Sequence, residues 1–197
     1  MMKSNIGVVI LAAGNSSRMG QGKIFLQMTN GKSFLENCID RFYAYGIRNI
    51  VIVIQAKYLE VLETLFCNNK ARPLFVVNNN PEYERFYSLQ LGIKALGDVE
   101  FSFIHNVDCP FFDVSTLELL GSNKDKADYI CPAFNNQGGH PILVNKSTLA
   151  YLLSRPSDAV LKEELKSKTR LNIPVTNELI TVDIDTPEEY NKYLVQK

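Results

Sequence analysis

The sequence predicts an α/β fold with a mostly parallel central sheet. Short apolar runs of strand length recur along the chain, and helical patterns lie between most of them, so strand and helix alternate from end to end. The first run also feeds straight into a turn of small and polar residues, the place where such sheets meet their ligands. The expected strands are Gly7–Leu11, Ile50–Ile54, Leu74–Val77, Phe101–Val107, Tyr129–Ala133, Ile142–Val144 and Ile180–Ile184.

The first helix is the clearest. Ser33 and Glu36 have the spacing of a capping box; behind them Phe34, Leu35, Cys38, Ile39 and Phe42 make one apolar face, and Gly46 closes the helix. Further helices are expected over Tyr58–Phe66, Pro81–Leu96, Val114–Leu120, Ser147–Leu153, Ala159–Lys166 and Pro187–Leu194, with Pro81 in a first turn. The charged run Lys162–Arg170 reads as a solvated helix face with a Glu164–Lys168 pair.

A chain of 197 residues can bury a full core as one domain, without metal or disulfide staples. Its 21 basic and 21 acidic residues cancel, so no global field draws it to nucleic acid or to an anionic membrane. Any anion site must be built locally. Cys38, Cys67, Cys109 and Cys131 are scattered, without a CxxC pair, and sit in apolar stretches that favour buried thiols. With no run of eighteen apolar residues and no export leader, a cytoplasmic protein with no membrane span is expected.

The opening loop, Leu11 to Lys23, carries the strongest chemical signal. Ala12, Ala13 and Gly14 let backbone amides approach a ligand, Ser16 and Ser17 add hydroxyls, and Arg18 and Lys23 add positive charge. Such a loop suits phosphate: amides form an anion nest, arginine offers a planar fork and lysine a mobile point charge. Two familiar phosphate motifs are excluded. After Gly20 and Gly22 the third glycine of a GxGxxG is replaced by Phe25, and the Walker-like Gly31-Lys32-Ser33 has Leu26 where a glycine is required.

Two other places carry carboxylates. Asp108 ends an apolar strand just before Cys109 and Pro110, so it should emerge at the carboxyl edge of the sheet as a hard oxygen ligand suited to Mg²⁺. Asp183 and Asp185 alternate with Val182 and Ile184, which puts both carboxylates on one face. His140 follows two glycines in Gly138-Gly139-His140-Pro141, whereas His105 lies inside a strand and reads as a core or interface histidine.

The segment LAAGNSSRMGQGK at 11–23 resembles the signature LAAGxSxRMGxxK of the molybdenum cofactor nucleotidyltransferases, with nine fixed positions in agreement. SLQLGIKAL at 88–96, NVDCPFF at 106–112, GGHPILV at 138–144 and VDIDTPEEY at 182–190 keep that family's order, so the resemblance spans nearly the whole chain. It implies one three-layer, Rossmann-like nucleotidyltransferase domain over residues 1–197. It also implies that Leu11, Ala12, Ala13 and Gly14 face a nucleotide base and that Ser17 and Ser88 belong to the nucleotide site. The family's metal-binding aspartate falls on Asp108, with Asp183 favoured as the second ligand. His140 and Gly139 fall beside the acceptor, and Asp185 either faces the acceptor or caps the helix at Pro187.

The reaction so implied is attack by a phosphate monoester on the α-phosphorus of a nucleoside triphosphate, with loss of pyrophosphate. Mg²⁺ is the expected cofactor, Arg18 neutralises pyrophosphate and Lys23 stabilises charge on the α-phosphoryl group. The Ala-Ala-Gly start resembles the cytidylyl-transferring branch, so CTP is expected, with molybdopterin as acceptor and a molybdoenzyme as partner. Two departures stand out: Phe86-Tyr87 precede Ser88 where the family has glycine, and Arg155-Pro-Ser-Asp-Ala-Val160 replaces a Gly-Asp-x-Gly-x-Arg run. Either Arg155 substitutes for the lost arginine at the acceptor, or the acceptor differs. The rival readings are a cytidylyl- or uridylyltransferase for a sugar or alditol phosphate, and a non-catalytic nucleotide-binding accessory protein. The joint presence of Arg18, Lys23 and Asp108 argues against the second.

Overall fold

The computed structural model describes residues 5–14, 19, 22–80 and 83–195. Their centre is an eight-stranded sheet. Its strands are β1 (Ile6–Leu11), β2 (Asn49–Gln55), β3 (Leu74–Asn78), β4 (Phe101–Asn106), β5 (Tyr129–Phe134), β6 (Gln137–Gly138), β7 (Ile142–Asn145) and β8 (Arg170–Pro174). The order is β3-β2-β1-β4-β7-β5-β6, with β8 also on β5. Strands β3, β2, β1 and β4 are mutually parallel, β7 runs against β4 and β5, and β8 is parallel to β5. The mostly parallel α/β expectation is therefore met, with one reversed strand in the middle.

The direction of travel changes between β1 and β4. From β1 the chain steps outward through β2 and β3, then returns to lay β4 on the other flank of β1. A crevice opens where strand order reverses, outside the carboxyl ends of the strands.

The helices are α1 (Phe34–Tyr45), α2 (Leu59–Phe66), α3 (Glu84–Leu96), α4 (Val114–Ser122), α5 (Lys146–Leu153), α6 (Leu161–Glu164) and α7 (Pro187–Tyr190). Alternate residues of β1 and β2 separate the core into two layers. Val8, Ile10, Ile52 and Ile54 pack with α1, α2 and α4, while Val9, Leu11, Val51 and Val53 pack with α3 and α5. A strand buried on both faces reads as an unbroken apolar run, which is why β1 and β2 were visible in the sequence. Helix α3 lies close enough on the sheet that a Cβ at Gly92 would sit 2.3 Å from Val9 Cγ1. The capping box is formed: Glu36 N–H donates to Ser33 Oγ at 3.2 Å and Ser33 N–H to Glu36 Oε2 at 2.8 Å. Gly46 closes the helix with φ 106°.

Two expectations are corrected. Ile180–Ile184 is not a strand: a 3-10 turn covers Glu178–Thr181, and the chain then runs extended without a ladder. The charged run Lys162–Arg170 is not a continuous helix either. Helix α6 has four residues, a 3-10 turn follows at Leu165–Ser167, and Arg170 already opens β8. Glu164 pairs with Arg155 rather than Lys168, whose ammonium lies 3.9 Å from the Tyr151 ring centroid. Among the described residues, no helix is long and apolar enough to cross a membrane.

Candidate active site

Lys23, Asp108, Asp183 and Asp185 meet at the carboxyl edge of the sheet, in the crevice between β1 and β4. Asp108 lies two residues past β4, a strand locked to β1 through six parallel pairings from Ile6–Phe101 to Leu11–Asn106. The bond from Val107 N–H to Leu11 O (3.1 Å) continues that ladder to the edge. Cys109 N–H then donates to Asn106 O at 3.1 Å, and the chain turns away at Pro110. Asp108 is thus presented on a rigid stem and remains largely buried.

Asp183 and Asp185 arrive differently. Ile184, fully buried between them, donates its N–H to Asp108 O at 2.8 Å. That bond preserves the two-residue alternation without a sheet ladder: Val182 and Ile184 pack inward, and the carboxylates turn to the crevice. The helix-capping alternative for Asp185 is corrected, because Thr186 caps α7. Glu189 N–H donates to Thr186 Oγ1 at 3.2 Å, and the Glu189 carboxylate accepts from Asp185 N–H at 2.7 Å and Thr186 N–H at 2.9 Å. The Asp185 side chain is left to face Lys23.

The Lys23 ammonium donates to Asp108 Oδ2 at 3.0 Å and to Asp185 Oδ1. Burial alone would lower the lysine pKa; the two carboxylates outweigh it and raise the value, so Lys23 stays charged. Cys109 Sγ donates to Asp183 Oδ1 at 2.8 Å and lies 3.7 Å from Asp108 Oδ1. Burial first, then the two aspartates, push its pKa well up and keep it a neutral thiol. The two carboxylates therefore share one thiol.

The glycine-rich corner adds His140. Asn135 and Asn136, with φ of 49° and 66°, turn β5 into β6, as a two-residue hairpin demands. Gly139 then passes so close to the neighbouring chain that a Cβ would lie 2.1 Å from Ile180 O. His140 is partly buried, with Nε2 at 3.2 Å from Asn106 Nδ2. Burial lowers its pKa, with Asp183 opposing. His105 is a core residue as expected: it is fully buried, 3.4 Å from Cys38 Sγ through Nε2, and packed on Phe42 and Phe112.

On the nucleotide side, Leu11 and Ala12 are buried, Ala13 is partly buried and Gly14 is exposed. Ser17 and Arg18 lie outside the described residues, as do Ser16, Gly20 and Pro81. Gln55, at the end of β2, donates to Ala13 O at 3.0 Å and Gly14 O at 2.9 Å, which fixes the path of the loop. Ser88 is buried and accepts from Asn78 Nδ2 at 2.9 Å. Arg155 stands against the Tyr151 ring with Nε 3.2 Å from Glu164 Oε2, in the α5–α6 region, and does not join the Lys23 cluster.

Sequence reasoning missed Gln55, Cys109 as the partner of Asp183, and Arg41. Arg41 donates to Pro110 O beneath the Asp108 turn and lies 5.2 Å over the Phe112 ring. Its signal was available: seven residues after Phe34, it falls on the buried stripe of α1, where a guanidinium needs a reason.

Among the described residues, no group of three or more His, Cys, Asp or Glu is arranged to hold a metal. Asp108 and Asp183 are nonetheless hard oxygen donors on one crevice. That set suits a Mg²⁺-like ion taking one or two carboxylates and drawing its other ligands from phosphate and water.

A mostly parallel sheet that gathers three carboxylates and an ammonium at its switch point defines an α/β protein with a charged crevice at the place where such folds bind ligands. The MobA-like NTP transferase domain model matches residues 8–171, and the chain belongs to that family of nucleotidyltransferases. It is similar to the molybdenum cofactor cytidylyltransferase of Escherichia coli, with 28% identity over 189 residues, covering 95% of this chain and 94% of that protein. It also shares its fold with a nucleotidyl transferase from Methanothermobacter (18% identity, 97% of this chain and 96% of that one, TM-score 0.79). A Mycobacterium tuberculosis protein solved in complex with manganese has the same fold (16% identity, 98% and 100% covered, TM-score 0.78).

Proposed function

We propose that the protein, acting over residues 1–197 as one nucleotidyltransferase domain in the cytoplasm, moves CMP from CTP to the phosphate of molybdopterin and releases pyrophosphate. The observation that carries the reading is Lys23 held between Asp108 and Asp185 at the switch point. An ammonium restrained this way is preorganised for charge that grows on an α-phosphoryl group. The E. coli relative, a molybdenum cofactor cytidylyltransferase, supports both the base and the acceptor.

Asp108 and Asp183 are the residues that would hold Mg²⁺, which when bound supplies neutralisation of triphosphate oxygens. The backbone of Leu11, Ala12, Ala13 and Gly14 faces the base, on a path set by Gln55. Ser88, oriented by Asn78, lies toward base and ribose. Ser17 and Arg18 would bind phosphate, with Arg18 neutralising the leaving pyrophosphate. Gly139, His140 and Asp185 line the acceptor side, and Arg155 would join it by exchanging Glu164 for the acceptor anion. The acceptor phosphate is already an anion near neutral pH, so the protein needs no nucleophile of its own; it must position and stabilise charge. A molybdoenzyme is the expected recipient of the product.

The test is pyrophosphate release by purified protein with Mg²⁺, each of the four ribonucleoside triphosphates, and molybdenum-loaded molybdopterin, a sugar phosphate or an alditol phosphate. Release with CTP and molybdopterin is expected. Comparable use of GTP would overturn the base assignment, and release only with sugar or alditol phosphate would overturn the acceptor. Binding of CTP without release from any acceptor would identify an accessory nucleotide-binding protein.

A further inference from the structure

Lys23 contacts Asp108 and Asp185, Asp183 receives the Cys109 thiol, and the proposed reaction brings two phosphate-bearing ligands into the same crevice. With Mg²⁺, Arg18 and Lys23 given to the triphosphate, the acceptor phosphate calls for a cation of its own.

The packing of α3 supplies one. Gly92 lies directly on β1 and β2, its Cβ position 2.3 Å from Val9 and 3.1 Å from Val53. Arg85 is seven residues earlier and so on nearly the same helix face, about 10 Å nearer the helix N-terminus. Helix α3 crosses from β3 to β4, two strands parallel to β1 and β2, so it runs against them. A step toward its N-terminus is therefore a step toward their carboxyl ends. That step spans about three strand residues, from Val9 to the level of Ala12, just past the end of β1. Helical side chains also lean toward the N-terminus, which carries the guanidinium further over the crevice. The exposure pattern agrees: Ser88, Leu89 and Gly92 on this face are buried against the sheet, whereas Arg85 is exposed because no strand lies beneath it.

We infer that Arg85 binds the phosphate group of the acceptor, opposite the Lys23 side of the crevice. The helix geometry sets the guanidinium toward the β4 side, where Gly139 and His140 lie, and its charge is, after burial, among those that oppose protonation of His140. No described carboxylate forms an ion pair with it. A planar guanidinium offers a phosphate monoester two parallel hydrogen bonds. Arg155, by contrast, is paired with Glu164. The inference rests on the nucleotidyl-transfer reading above.

The experiment compares the parent protein with Arg85→Ala and Arg85→Lys, using CTP, Mg²⁺ and molybdopterin. Arg85→Ala should raise the acceptor KM by about tenfold to a hundredfold, as expected for one lost charge-assisted pair. CTP affinity by calorimetry should stay within about twofold, which also reports an intact fold, and Arg85→Lys should recover part of the loss. Dephosphorylated molybdopterin should bind the parent and Arg85→Ala equally. An unchanged acceptor KM, or CTP binding weakened as much as acceptor use, would overturn the role of Arg85. A parent protein that releases no pyrophosphate from CTP with molybdopterin would instead overturn the reading of the reaction.

Discussion

Asp108 and Asp185 both grip Lys23, and they are held in unequal ways. Asp108 stands two residues past β4, in the middle of the sheet, with its side chain 12% exposed. Asp185 sits on an extended segment tied to the sheet edge by the Ile184–Asp108 backbone bond and by the Glu189 cap, with its side chain 37% exposed. The difference separates a fixed reference point from an adjustable arm. On the proposed function, metal and phosphate would be oriented against the stem, while the second carboxylate would release the ammonium when a ligand arrives.

The largest effects should therefore fall on the fixed pair. Asp108→Ala and Lys23→Ala should each lower turnover by about 10²–10³-fold, by analogy with losing one preorganised charge-stabilising group. For Lys23, kcat should fall more than nucleotide affinity; weaker binding at an unchanged rate would make it only a docking charge. Turnover of Asp108→Ala within twofold of the parent would remove Asp108 from the chemistry. Asp185→Asn should cost only about tenfold, and a loss equal to that of Asp108→Ala would erase the distinction between stem and arm.

Smaller changes sharpen the comparison. Glu189→Ala removes the carboxylate that receives the Asp185 and Thr186 amides, so it should destabilise the α7 cap by about 1 kcal/mol. Hydrogen exchange should rise at Asp185 and Thr186 and stay unchanged along β4. Acid stability should report the stem together with His140, whose pKa burial also lowers. Burial holds the His105 pKa well below its ordinary value, so the folded protein takes up fewer protons than the unfolded chain once the pH falls below about 6.5. Stability from this residue is complete above that pH and declines below it. His105→Leu should flatten the decline in thermal melts between pH 7 and pH 5, and an unchanged slope would show that other groups set it.

The stem was legible in the sequence and the arm only half so. Strands β1, β2 and β4 are buried on both faces, which writes them as unbroken apolar runs, and the α1 capping box carries its own spacing. The alternation Val182-Asp183-Ile184-Asp185 correctly put two carboxylates on one side. It could not show that Ile184 finds one backbone partner rather than a ladder, because that depends on a residue far away in the chain. Strand β8 was hidden for a related reason. On the outer flank of β5 it needs only Leu171 and Ile173 turned inward, too weak a pattern to emerge from the charges around it. Arg85 left no signal, since an exposed arginine acquires meaning only once Gly92 shows where its helix face rests.

The Lys23–Asp185 contact joins residues 162 positions apart. All eight strands precede Asp185 in the chain, so during synthesis the sheet can assemble before the arm exists. Closure of so distant a contact is entropically late, and it should be among the first to reopen under mild denaturant. A nascent or partly unfolded chain would then carry a finished sheet with an incomplete charge cluster, so that on the proposed function activity would begin only once the segment around Asp185 has docked.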